Sequence, residues 1–95
     1  MFLEDKHADL RLENLADDAF EIWWLYPNDN ELVIVSHCPL NYPATVIHDM
    51  PTKEGINELK KLVREGWKIE QVTDEFRKLC GDSWKQIKRF SNMNL

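Results

Sequence analysis

The chain has 95 residues, 43% of them hydrophobic and 31% charged, with four Trp, four Phe and a net charge of −5. This makeup excludes a disordered tail and predicts one packed domain over residues 1–95. The longest apolar runs, 22–26 and 32–35, fall far short of the ~20 residues that span a bilayer, and Cys38 and Cys80 are too few for a disulfide framework. The start Met1-Phe2-Leu3-Glu4 does not read as a signal peptide, so a cytoplasmic protein with no membrane partner is expected.

Up to Asp18 two patterns compete. Ala8, Leu12, Leu15 and Ala19 suit a helix, Leu10 and Leu12 a strand, and the longer pattern predicts a helix. Phe20 to Tyr26 is rich in β-branched and aromatic residues, Pro27-Asn28-Asp29-Asn30 supplies turn chemistry, and Leu32 to Ser36 resumes the first character. A β-hairpin follows, with Phe20, Ile22, Trp24 and Tyr26 on the natural core face and Glu21, Trp23 and Leu25 on the other. On that second face Trp23 either lies beneath the N-terminal segment or stands exposed as the kind of aromatic that anchors an interface.

Residues 37–43 form a loop fixed by Pro39 and Pro43, and Ala44 to His48 reads as a third strand ended by Met50-Pro51. Connections this short make the sheet antiparallel. Thr52 is placed to cap a helix that carries Glu54 in its first turn and Ile56, Leu59 and Val63 on one face, with Lys60, Lys61 and Arg64 turned to water and Gly66 as its stop. Beyond Gly66, Trp67, Ile69 and Gln71 alternate as in a strand, although Ile69, Val72, Phe76, Leu79 and Cys80 also fit one helical face. The strand reading through Val72 leaves two short helices, started by Thr73 and by Asp82 or Ser83 and separated by Gly81. The expected fold is α+β: a small antiparallel sheet of three to four strands, a central amphipathic helix over about 52–65, and C-terminal helices over about 73–80 and 83–91.

Charge divides the chain. Residues 1–59 hold three bases against twelve carboxylates, a net −9, whereas residues 60–95 hold nine bases against five acids, a net +4. An acidic, β-rich part over about 1–51 thus precedes a basic, helical part over about 52–95. Asymmetry of this kind marks a basic nucleic-acid surface beside an acidic region, two parts that attract each other, or a head-to-tail dimer; more commonly it is only solvated faces that segregate.

In the basic part, Phe76, Cys80, Gly81, Ile87 and Phe90 take the apolar and turn positions of a two-helix unit counted from Thr73. Thr73 to Ser91 resembles the helix-turn-helix of DNA-binding regulators. Two residues depart from that pattern: Arg77 stands where a small residue belongs, and Asp82 where the turn tucks in an apolar one. The resemblance implies that Lys85, Gln86, Lys88 and Arg89 face a major groove, with Gln86 reading adenine and the bases contacting phosphate or guanine. Without it they are the water-facing side of an amphipathic helix. A net charge of −5 opposes tight DNA binding by a monomer, an objection that a dimer presenting only its basic ends avoids.

His37, Cys38, His48 and Asp49 could meet across adjacent strands, but no spacing here is that of a zinc site, and Pro39 leaves no helix N-terminus to activate Cys38. Gly55, Gly66 and Gly81 are isolated and build no phosphate loop. No catalytic residue, cofactor or metal is therefore expected. The leading expectation is a small non-catalytic regulator or inhibitor that binds a protein partner, of the kind phages and plasmids direct at nucleic-acid-handling machines. Asp17, Asp18, Glu21, Trp23, Asp29 and Glu31 are its candidate interface, helped by a surplus of aromatics that includes Tyr42 and Trp67. The second expectation is a DNA-binding regulator that uses Lys85, Gln86, Lys88 and Arg89 and dimerises through the sheet.

Overall fold

In the computed structural model, residues 7–16, 18–26, 29–39 and 45–91 are described, with the backbone alone at 29, 30 and 91. Five strands and three helices follow one another: β1 (Leu10–Asn14), β2 (Ala19–Tyr26), β3 (Asp29–Pro39), β4 (Val46–Pro51), α1 (Thr52–Arg64), β5 (Lys68–Val72), α2 (Asp74–Cys80) and α3 (Ser83–Ser91). The α+β class is as expected, but the antiparallel sheet has five strands, in the order β4-β3-β2-β1-β5. The first four strands form a meander, and α1 carries the chain back across it so that β5 pairs with β1.

The extra strand comes from the N-terminal segment, for which a helix was expected. Leu10, Leu12 and Asn14 are buried while Arg11 and Glu13 are half-buried, which is the two-residue period of a strand. The longer apparent period fails because Leu15 lies in the turn to β2, where it is 68% exposed and Asp18 takes a φ of 48°. A local turn thus interrupts what looked like one apolar stripe.

β2 is buried on both faces, and this reverses the expected core. Trp23 and Leu25 face the helices: Trp23 lies opposite Leu10 on one side and Val35 on the other, and its ring meets Phe76 edge-on with centroids 6.3 Å apart. The face proposed from sequence, with Phe20, Ile22, Trp24 and Tyr26, instead joins Ala8 and Ile34 in a second cluster that, among the described residues, no helix residue enters. Trp23 is 0% exposed and so cannot anchor an interface; α1 and α2 pack over it.

α1 approaches the sheet closely because Gly55 faces it. A Cβ there would stand 2.8 Å from Val33 Cγ1 and 3.4 Å from the Trp23 ring. Its start also differs from expectation. Pro51 occupies the cap position with φ −55° and ψ 139°, no side chain caps the helix, and Thr52 is its first, buried residue. Proline's fixed φ suits it to the entry of a helix, which displaces the threonine by one position. The far end is as read: Gly66, at φ 106°, turns the chain out, and Trp67 N–H returns to the Leu62 carbonyl.

α2 begins at Thr73, whose Oγ1 accepts from Phe76 N–H at 3.2 Å, and Gly81 at φ 55° ends it. α3 then packs mainly on α1 and only lightly on α2. Ile87 is fully buried in the main core, and the Arg64 guanidinium lies 4.1 Å over the Phe90 ring. None of the helices is long and apolar enough to cross a membrane.

Candidate functional site

Glu21 and Trp23 lie two residues apart on one face of β2, and His37 stands opposite Glu21 on β3. Glu21 is only 9% exposed and is fully engaged: one carboxylate oxygen accepts from Trp23 Nε1–H at 3.0 Å, and the other is 2.8 Å from His37 Nδ1. The His37 ring in turn lies 6.1 Å from that of Trp67, itself buried. A carboxylate that fixes one imidazole nitrogen is how a histidine base is oriented. A nucleophile is missing from the arrangement, because neighbouring Cys38 projects to the opposite face, beside Ser36. Glu21 here is the acceptor that lets an indole N–H be buried. A cavity of about 260 Å³ adjoins it, lined also by Val35, His48, Met50 and Glu58.

The remaining acidic candidates do not form one face. Asp18 is exposed in the β1–β2 turn, and Glu31 is exposed near the start of β3, at the opposite end of the sheet. Asp29 opens β3 opposite Tyr26, while Asp17 and Tyr42 lie outside the described residues. Glu31 does rim an open groove of about 640 Å³ floored by Leu32, Pro51, Ile56 and Leu79. Among the described residues no three His, Cys, Asp or Glu side chains cluster to hold a metal ion. Burial pushes the Cys80 thiol up to about 12, which leaves it without thiolate character at neutral pH.

Sequence reasoning passed over the edge of the sheet. Val46 and Ile47 on β4 are 57% and 59% exposed, the exposed large hydrophobics among the described strand residues. Backbone polar groups alternate in direction along a strand, so the direction at β4 can be traced across the sheet. Leu25 N–H donates to Asp9 Oδ2 and the Trp23 carbonyl accepts from Asp9 N–H, so the odd residues of β2 turn toward β1 and the even ones toward β3. With Trp24 opposite Ile34, and Val33 and Val35 opposite Met50 and His48, those last two residues bond inward to β3. Ile47 and Asp49 are left with N–H and C=O groups facing out of the sheet. The opposite edge is guarded: β5 is short, exposes Lys68, Glu70 and Gln71, and meets an irregularity at Arg11/Leu12. A period-2 strand pattern says nothing about which strand is outermost, so only exposed apolar side chains at adjacent positions could have signalled this edge.

The basic candidates sit together on the helical layer. Lys85, Gln86 and Arg89 are exposed on α3 and Lys88 is half-buried, and Lys61 and Arg64 of α1 are exposed on the neighbouring helix. Lys61, Arg64, Lys85 and Arg89 form no ion pair among the described residues; the ion pairs there are Arg11–Glu70, His37–Glu21 and Arg77–Asp74. Comparison of the chain with protein-family models, with curated proteins and with solved structures finds no match.

Proposed function

We propose that this protein is a small non-catalytic regulator that works by docking a protein partner, and that the partner adds a strand to β4. The observation that carries this reading is the open edge at Ile47 and Asp49, where outward backbone groups lie beside exposed Val46 and Ile47. Strand addition takes its affinity from main-chain hydrogen bonds and its specificity from alternate side chains, and needs no catalytic equipment. An inhibitor of a larger nucleic-acid-handling machine would work in this way, by occupying a strand of its target. Ile47→Pro removes an outward N–H while leaving the bonds of β4 to β3 intact. In affinity capture from host lysate, the partner retained by the wild-type protein is expected to be lost with Ile47→Pro, and equal capture by both would sink the reading.

A second reading rests on Lys85 and Arg89 of α3 and Lys61 and Arg64 of α1, exposed cations on neighbouring helices that suit a phosphate backbone. Replacing Lys85, Lys88 and Arg89 by Ala is expected to weaken binding of labelled duplex and to lower its salt slope by about one unit per lost phosphate contact. An unchanged slope in fluorescence anisotropy counts against it.

A further inference from the structure

The exposed side chains of β4 match the same strand in reverse, and we infer that a second copy of this chain pairs with β4 about a two-fold axis at Ile47, which makes one continuous ten-stranded sheet. The inference rests on the reading of β4 as a docking edge and names what docks there. An isologous strand pair closes on itself, whereas β4 of one copy against β5 of the next would propagate without end. The guarded chemistry of β5, with exposed Lys68 and Glu70, disfavours that open arrangement.

The register follows from which groups are free. Only residues with outward N–H and C=O can exchange hydrogen bonds across the new seam, and Ile47 is such a residue. With the axis at Ile47, its backbone bonds to Ile47 of the second copy, and two side chains each 59% exposed lie opposite one another on the outer face. On the helix-covered face Val46, 57% exposed, then stands opposite His48, and on the outer face Thr45 stands opposite the Asp49 carboxylate. Moving the axis to His48 would set Ile47 against Asp49 and leave the apolar surface facing a charge. Of these two registers, apolar, polar and backbone complementarity agree in the first.

A seam of one six-residue strand is small. So short a seam makes the dimer weak and reversible, with its population set by concentration. That argues for a second copy present at the protein's own concentration in preference to a permanent heteromeric seam at this edge.

Sedimentation velocity over a wide concentration range is the test, with the full chain. The weight-average mass is expected to rise from 11.3 kDa toward twice that value, and the rise is expected to be absent in Ile47→Pro and in Ile47→Lys, which sets like charges face to face. Far-UV circular dichroism of both variants shows whether they retain the fold, and the lysine variant carries the test if proline disturbs β4. In a Cys38→Ser background, Ile47→Cys is expected to form a disulfide dimer under mild oxidation, because directly paired residues there lie about 5.5 Å apart, whereas Asp49→Cys is not. A wild-type protein that stays monomeric throughout overturns the self-pairing, but a partner captured by the wild type and lost with Ile47→Pro would still establish β4 as a docking edge. A dimer that persists in folded Ile47→Lys without disulfide formation at position 47 lies elsewhere and likewise overturns the self-pairing.

Discussion

At Glu21 a carboxylate is spent on the core. Its two oxygens hold the Trp23 indole and the His37 ring, so Glu21→Ala leaves a buried N–H with no acceptor. That change is expected to cost about 1–3 kcal/mol in urea unfolding, and Glu21→Gln, which still offers an oxygen to the indole, markedly less. Gly55 makes a different demand. An alanine there would gain about 1 kcal/mol of helix propensity, but its methyl falls 2.8 Å from Val33 Cγ1, too close for the helix to keep its present approach to the sheet. Gly55→Ala is therefore expected to lower the melting temperature, and an increase would mean that α1 can lift off the sheet. Neither role was legible in the sequence. Glu21 looks like a surface acid, and Trp23 like an interface anchor, until the residue across the strand and the helix above are known. Asp9 was missed for the same reason: its carboxylate takes Leu25 N–H at 2.8 Å and the Thr73 hydroxyl at 3.0 Å, contacts that reach from β1 to distant segments.

Elements whose limits are set by local chemistry were the ones that could be read. Gly66, Thr73 and Gly81 mark helix ends because backbone conformation and capping depend on the residue itself. Thr73 does this while also donating to Asp9, so it ties α2 to β1. Thr73→Ala is expected to lose about 1–2 kcal/mol and Thr73→Ser to recover most of it, as thermal or denaturant unfolding would show. Which face of β2 the helices cover was not legible, because both faces are apolar and the choice is made by α1 and α2 from elsewhere in the chain. Nor was β1, a five-residue strand next to a turn that mimics a helical stripe. Its pairing with β5 brings Glu13 and Glu70 together. A hydrogen bond donated to the Glu70 carboxylate holds the Glu13 carboxyl above its ordinary range, whereas that bond and the Arg11 guanidinium hold Glu70 below it. The signs oppose. Glu70 contributes stability above its unfolded pKa and loses it as pH falls through its lowered folded value; Glu13 contributes below its unfolded pKa and loses it as pH rises through its raised one. An NMR titration is expected to show Glu13 protonating before Glu70 as acid is added, and the reverse order would place the shared proton wrongly.

Across the whole molecule, the division of charge seen along the chain does not become two halves in space. β5 belongs to the basic segment, yet it lies against β1 of the acidic one, and Arg11 reaches Glu70 at 2.7 Å. What survives as a surface is the helical layer, with Lys61, Arg64, Lys85 and Arg89 on one side of the sheet. In the two-fold pairing both such layers fall on the same side of the joined sheet, so dimerisation would double the basic surface. The late arrival of β5 also has a consequence in time. Arg11 and Glu70 are 59 positions apart, so during synthesis β1 has no neighbour on that side until Val72 has been added. Until then the growing chain carries two open edges, and Leu10 and Leu12 lack the cover of Ile69 and Phe76. A chain stopped at Gly66 is accordingly expected to aggregate and to show no cooperative melt, whereas the complete chain folds in a step whose rate is governed by closing that long loop.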